Sequence, residues 1–233
     1  MKTKNGSLVY QVLSGRNNVH LIHSGDDWIL VDTGMTRFYP KLKRRLQKIL
    51  PAEASLTLFL THTHFDHVQN ANALKKDFNC RILVSKNEAA FIQKGKTPLP
   101  KGTNLFAKFM VGLGNLIAKT KTGFPPFEAD ETIEEDRELS SSARIIKTPG
   151  HTSGSFSLII DEEFAFVGDV LFGVFKNSVL PPFADDIPLM IQSWGKLLES
   201  NCNWFFPGHG KKISRAFLEK NYKEKLKTYS APL

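Results

Sequence analysis

At 233 residues, with 41% hydrophobic and 23% charged side chains, the chain has the make-up of a globular protein able to bury one sizeable α/β core, which sets aside disordered and fibrous classes. The net charge of +8 gathers in Lys41–Lys48 and Lys211–Lys227, against an acidic block at Glu128–Glu138; these runs read as solvated helix faces, with nucleic acid as the alternative partner, although neither basic run has the interleaved aromatics of a single-strand binding platform. Cys80 and Cys202 make no ligand spacing, no apolar span reaches the roughly 20 residues of a membrane helix, and no apolar stretch follows Met1–Ser7, so the expectation is a reduced, cytoplasmic protein with no membrane partner.

The first third predicts short strands at Leu8–Leu13, Val19–His23 and Trp28–Val31, the last ending in Asp32-Thr33-Gly34. Apolar residues at helical spacing predict a helix over Lys41–Leu50, which Pro51 ends, and a strand follows at Leu56–Leu60. A helix over Val68–Phe78, a strand at Arg81–Val84 and a short helix at Asn87–Gln93 continue the alternation. Residues 95–127 break it and read as an inserted helical flap in a chain that is otherwise one domain, 1–233. Strands at Ala143–Lys147, Phe156–Ile160 and Glu163–Val167, a helix at Leu189–Glu199, a strand at Trp204–Phe206 and a helix at Ile213–Lys227 complete the reading.

The chemistry concentrates after Leu56–Leu60, where His62-Thr63-His64-Phe65-Asp66-His67 carries three of the seven histidines. Side chains two apart on an extended segment point the same way, so His62 and His64 can reach one ion, while Asp66 and His67 turn toward another point. Asp66 lies at the start of a helical run, where free backbone N–H groups favour a carboxylate. By itself this cluster fits one site or two.

Three further segments share one pattern of apolar strand, glycine and ligand-type residue: Arg144–His151, Glu163–Asp169 and Trp204–His209. Glycine permits the sharp turn and close backbone approach that such a site requires. Five histidines and two aspartates exceed the four-ligand shell of one tetrahedral zinc, and Asp169 has two oxygens with which to bridge a pair of ions. Water between two cations would be available as hydroxide near neutral pH. His20 and His23 flank no ligand pattern and are read as structural.

His-x-His-x-Asp-His, Thr148-Pro149-Gly150-His151, Gly168-Asp169 and Pro207-Gly208-His209 resemble the metallo-β-lactamase superfamily over nearly the whole chain. That resemblance implies an α/β fold, a four-layered αβ/βα sandwich of two mixed sheets with helices outside. It implies that His62, His64 and His151 bind one metal, that Asp66, His67 and His209 bind the other, and that Asp169 bridges them. It also implies that Asp66 is the catalytic carboxylate and that Asp32 supports the metal loops.

Within the superfamily, Gly168-Asp169-Val170-Leu171-Phe172 resembles the Gly-Asp-x-Leu-Phe pattern of glyoxalase II-like thioesterases, whereas many lactonases place Tyr at the position of Phe172. The β-lactamases tend to replace the bridging Asp, and flavodiiron proteins put Glu at the position of His64. Two departures from glyoxalase II stand out: only 24 residues follow His209, and Val68-Gln69-Asn70 replaces a frequent Gly-Gly. The expectation is a binuclear hydrolase with two divalent ions, zinc first and iron or manganese as alternatives, whose bridging hydroxide attacks the carbonyl of a small ester, thioester or lactone. A persulfide dioxygenase-like iron oxidoreductase and a phosphodiesterase or ribonuclease are the alternatives. The apolar segment after Asp169 offers Phe172 and Phe175 as substrate contacts, and Leu105–Ile117 reads as a lid, as core packing or as a homodimer interface.

Overall fold

In the computed structural model, which describes residues 1–15, 17–98, 100–103 and 123–229, β1 (Leu8–Leu13), β2 (Val19–Ser24) and β3 (Asp27–Val31) form an antiparallel meander. Three parallel strands, β4 (Leu56–Phe59), β5 (Arg81–Ser85) and β6 (Glu131–Ile133), extend it to a six-stranded mixed sheet in the order β1-β2-β3-β4-β5-β6. The helices α1 (Tyr39–Ile49), α2 (Phe65–Val68), α3 (Ala71–Phe78) and α4 (Ala89–Lys94) lie in its connections.

The second sheet contains β7 (Arg137–Ser140), β8 (Ala143–Lys147), β9 (Phe156–Ile160), β10 (Phe164–Gly168), β11 (Trp204–Pro207) and β12 (Ile213–Ser214), ordered β12-β11-β10-β9-β8-β7. Only β10 and β11 pair in parallel, which α5 (Ile187–Glu199) between them makes possible. The final helix, α6 (Arg215–Tyr229), packs against α5.

Alternation along the strands sorts the core into three clusters and so defines four layers. Ile29 and Val31 face the second sheet, joining Ile145, Phe156, Leu158 and Phe166, while Trp28 and Leu30 face α1 and α3 through Leu42, Leu46 and Leu74. In the second sheet Ile159, Ala165 and Val167 turn outward to Met190, Trp194 and Leu218 of the helices. Strands covered on both faces read as nearly unbroken apolar runs, which is why β9 and β10 are buried at every position. The expected αβ/βα sandwich is the observed one.

Three strands escaped the sequence reading, and all three are sheet edges or lie next to one. β6 falls within the acidic block and β7 begins at its end, and β12 takes the two residues expected to open the last helix. Edge strands tolerate charge, so their sequences lack the apolar signature of a central strand. The helix expected over Val68–Phe78 is broken at Gln69–Asn70, where Asn70 turns its side chain into the loop after β3. Residues 104–122, most of the expected flap and all of Leu105–Ile117, lie outside the described residues. Among the described residues no helix is long and apolar enough to cross a membrane, and Cys80 and Cys202 are free and buried.

Candidate metal centre

The C-terminal ends of β4, β8, β10 and β11 deliver the seven candidate donors to one place. His62 Nε2 and His151 Nε2 each lie 3.0 Å from His64 Nδ1, so three imidazoles from two sheets point their ring nitrogens at one another. Asp66, His67 and His209 form a second group, and Asp169 stands between the groups. Asp169 Oδ1 lies 3.4 Å from His67 Nε2, and its Oδ2 lies 3.2 Å from His209 Nε2 and 3.8 Å from His151 Nε2. One carboxylate thus faces donors of both groups.

Neighbouring groups orient each ring. His67 Nδ1 donates to Asp32 Oδ2 at 2.8 Å, leaving Nε2 for the centre, and His151 Nδ1 donates to the Phe183 carbonyl at 2.9 Å. Asp32 also accepts from the Thr61 backbone N–H at 2.9 Å, which binds the end of β3 to the start of the histidine loop. Its φ of 60° is left-handed, a conformation that aspartate tolerates better than most residues.

Close backbone approaches fix the other loops. Gly168 (φ +53°) lies so near Thr61 that a Cβ would strike its Oγ1, and Gly150 (φ +125°) sits against the backbone of Met190 at the start of α5. Asp186 caps α5 by accepting from the Leu189 N–H at 2.9 Å, and Trp194 Nε1 donates to Val170 O at 2.8 Å, directly behind Asp169.

The charge pattern divides the cluster. Burial pushes His62, His64 and His151 down, His64 to about 3, so these three rings are neutral and present lone pairs. Burial also opposes charge on His67 and His209, but the carboxylates of Asp169, Asp32 and Asp66 outweigh it, holding His67 well above the usual imidazole value and His209 at about 10. For Asp169 and Asp66 burial is again outweighed, here by His67 and His209, and both carboxyls fall below the usual range.

This donor set fits metal. His67 Nε2 and Asp169 Oδ1 are buried without a hydrogen-bond partner, an arrangement that costs stability unless something else satisfies them. Gly208 leaves the space clear: a Cβ there would stand 2.5 Å from both Asp169 Oδ1 and His67 Cε1. The neutral rings of His62, His64 and His151 and the ionised carboxylates are in the forms that bind a borderline cation, and His67 and His209, held protonated by those carboxylates, would give up a proton to bind one.

A cavity of about 350 Å³ opens onto the donors, walled by Phe65, Pro100, Phe172, Pro181, Pro182 and Phe183. Phe172, singled out from the sequence, is in this wall. Phe175 is not; it is 45% exposed and reaches the cavity only through ring contact with Phe172. The prolines and Phe65 were missed, because nothing local marks a proline as a pocket wall.

Two asparagines were also missed as parts of the site. Asn17 Nδ2 donates to Asp66 Oδ2 at 2.8 Å, and Asn70 Nδ2 donates to the carbonyls of Thr33, Gly34 and Met35, holding the loop that follows Asp32. Asn70 carried a signal, since it belongs to the Val68-Gln69-Asn70 stretch that replaces the Gly-Gly frequent in glyoxalase II. His20 packs its ring on Phe166 and Phe206, and His23 stacks on Trp28, both away from the donors.

Comparison with known proteins bears on the family and the fold. The family model described as the metallo-beta-lactamase superfamily matches residues 14–209. A probable metallo-hydrolase of Methanocaldococcus jannaschii is 28% identical over 198 residues, covering 83% of this chain and 87% of that one. A hydroxyacylglutathione hydrolase of Haemophilus influenzae is 32% identical over 136 residues, 56% of this chain and 57% of its own. Several other curated relatives are likewise spanned over less than two thirds of their length. Among solved structures, an archaeal metallo-beta-lactamase superfamily protein from Sulfolobus tokodaii superposes with a TM-score of 0.64 at 21% identity, covering 96% of this chain and 87% of that chain.

Proposed function

The chain belongs to the metallo-β-lactamase superfamily, whose members are mostly hydrolases, and from that premise we propose that it is a binuclear metal-dependent hydrolase of a small ester, thioester or lactone with an apolar acyl part. The observation that carries this reading is the junction of the donor cluster with the apolar cavity, which lines one space with both candidate metal donors and a greasy wall.

In this reading His62, His64 and His151 would hold one ion, Asp66, His67 and His209 would hold the second, and Asp169 would serve both. The ions, zinc first, would supply Lewis acidity toward a carbonyl oxygen and lower the pKa of bound water. Asp66 takes the proton of the attacking water and passes it toward the leaving group. Asn17 restricts the Asp66 carboxylate to one orientation through its 2.8 Å hydrogen bond. Phe172, Phe183 and the prolines hold the acyl part and exclude bulk water.

The name of the H. influenzae relative supports a substrate of the acyl-transfer kind. Among the described residues no lysine or arginine lines the cavity, so a phosphodiester backbone finds less support there. The test is a screen of metal-reconstituted protein against ester, thioester, lactone and phosphodiester panels, with Asp66→Asn as control and oxygen uptake followed in parallel. Carbonyl hydrolysis that Asp66→Asn abolishes is the expected result. Phosphodiester turnover alone, or one tightly held iron with oxygen consumption, would sink it.

A further inference from the structure

Glu88 is buried to 1% exposure in the short 3-10 turn that links β5 to α4, and no role in the chemistry above uses it. Burial pushes its carboxyl above the usual value, and the Thr152 hydroxyl, the Thr63 hydroxyl and the Thr63 backbone N–H that face it oppose that rise. Its Oε2 has no hydrogen-bond partner. A buried carboxyl with an oxygen left without a partner costs stability, so its presence here requires an explanation.

Position supplies one. Thr63 stands between His62 and His64, and Thr152 follows His151, so this one side chain touches both loops that deliver the first donor group. Both threonines are held from their other sides: Thr97 Oγ1 bonds Thr63 O at 2.5 Å and Thr63 Oγ1 at 3.1 Å, and Ser155 Oγ lies 2.9 Å from Thr152 Oγ1. Gly154 presses on Glu88 so closely that a Cβ there would come within 2.5 Å of its Cγ. The arrangement parallels that of Asp32. The histidine loop leaves β4, whose sheet neighbours are β3 and β5; Asp32 follows β3 and bonds His67, and Glu88 follows β5 and lies against Thr63 and Thr152.

We propose that Glu88 is a positioning residue that joins the His62–His64 loop to the His151 loop across the two sheets, and thereby sets how tightly the first donor group holds its metal ion. This rests on the reading of those histidines as ligands. Glu88 acts by accepting hydrogen bonds, so glutamine, which keeps one carbonyl acceptor, substitutes for it and alanine does not.

The experiment is chelator competition with zinc alone, and visible absorption with cobalt alone, on the parent chain, Glu88→Gln, Glu88→Ala and Gly154→Ala, with near-ultraviolet circular dichroism to verify packing. Expected is a parent that takes two ions, a loss of roughly 10- to 100-fold in affinity for one of them in Glu88→Ala and in Gly154→Ala, an altered cobalt spectrum in both, and values within a few-fold of the parent in Glu88→Gln. Should Glu88→Ala misfold, Thr152→Val, which removes one of the two bridged hydroxyls, must give the same selective loss. Unchanged affinities in correctly packed Glu88→Ala and Gly154→Ala overturn this proposal alone, and so does equal loss of both ions. A parent that takes up no ion overturns the ligand reading together with this one.

Discussion

His67 Nδ1 meets Asp32 Oδ2 at 2.8 Å, inside the protein, and this hydrogen bond decides which nitrogen of His67 is left to face Asp169. The pair joins the end of β3 to the helix that begins after the histidine loop. Asp32→Ala leaves both the His67 N–H and the Thr61 backbone N–H without their acceptor. The expected cost is about 1–3 kcal/mol of folding stability per orphaned donor, with a loss of roughly 10- to 100-fold in metal affinity at the group containing His67. Urea unfolding and chelator competition measure the two effects separately; parent values in both would remove Asp32 from the support of the site.

Asp66 accepts from Asn17 and faces His209 at 3.3 Å. If it moves the proton of the reaction, Asp66→Asn lowers kcat by roughly 10²- to 10⁴-fold at full metal occupancy. Asn17→Ala removes only the orienting donor, and a hydrogen bond to a charged group is worth about 1.5–3 kcal/mol, so its expected loss is roughly 10- to 100-fold. Metal analysis of each variant accompanies the kinetics. An Asp66→Asn enzyme of parent activity would refute the proton-transfer role.

Phe172 lies in the cavity wall with its ring 5.4 Å from that of His209. Truncation to alanine removes apolar contact made alike in the ground and transition states, so KM rises by roughly tenfold for a substrate with a large acyl group while kcat changes less. An acetyl substrate, too small to reach that wall, is expected to be nearly unaffected. The comparison of the two substrates is the measurement, and equal effects on both would show that Phe172 acts on the donors instead.

His20 offers a pH test away from the donors. Burial lowers its pKa from 6.5 to about 3, so between those values the unfolded chain holds a proton that the folded chain does not. Stability is therefore fully present above pH 6.5 and is lost as pH falls toward 3, by up to about 1.4 kcal/mol per pH unit. His20→Phe keeps a ring against Phe166 and Phe206 but takes up no proton. The stability difference between pH 7 and pH 5, from urea titrations, is expected to shrink by about 2 kcal/mol in this variant. An unchanged difference would mean that another group governs the acid limb.

The order of strands and helices was largely legible in the sequence, because strands covered on both faces announce themselves as apolar runs and α1 announces itself by period. β6, β7 and β12 were not, since an edge strand is held by partner hydrogen bonds that leave little trace in side-chain choice. Asn70 broke a helix whose pattern continued through it, because its amide found three carbonyls in a loop more than thirty residues away. Of the cavity wall, Phe172 followed from its nearness to Asp169, whereas Pro100 and Phe65 required the packed chain.

The sequence by itself determined the donor types of the candidate centre: five histidines and two aspartates, each placed in a loop or helix start that follows a strand, by local patterning that needs no knowledge of the rest of the chain. Only the tertiary structure decided how their atoms face one another. His64 presents Nδ1 while His62 and His151 present Nε2, Asp169 faces both groups, and Asp32 and Glu88 stand behind the loops. Those relations join residues from two sheets, and they are fixed by how the sheets pack and by which buried polar atoms find partners, quantities that no local stretch of sequence contains.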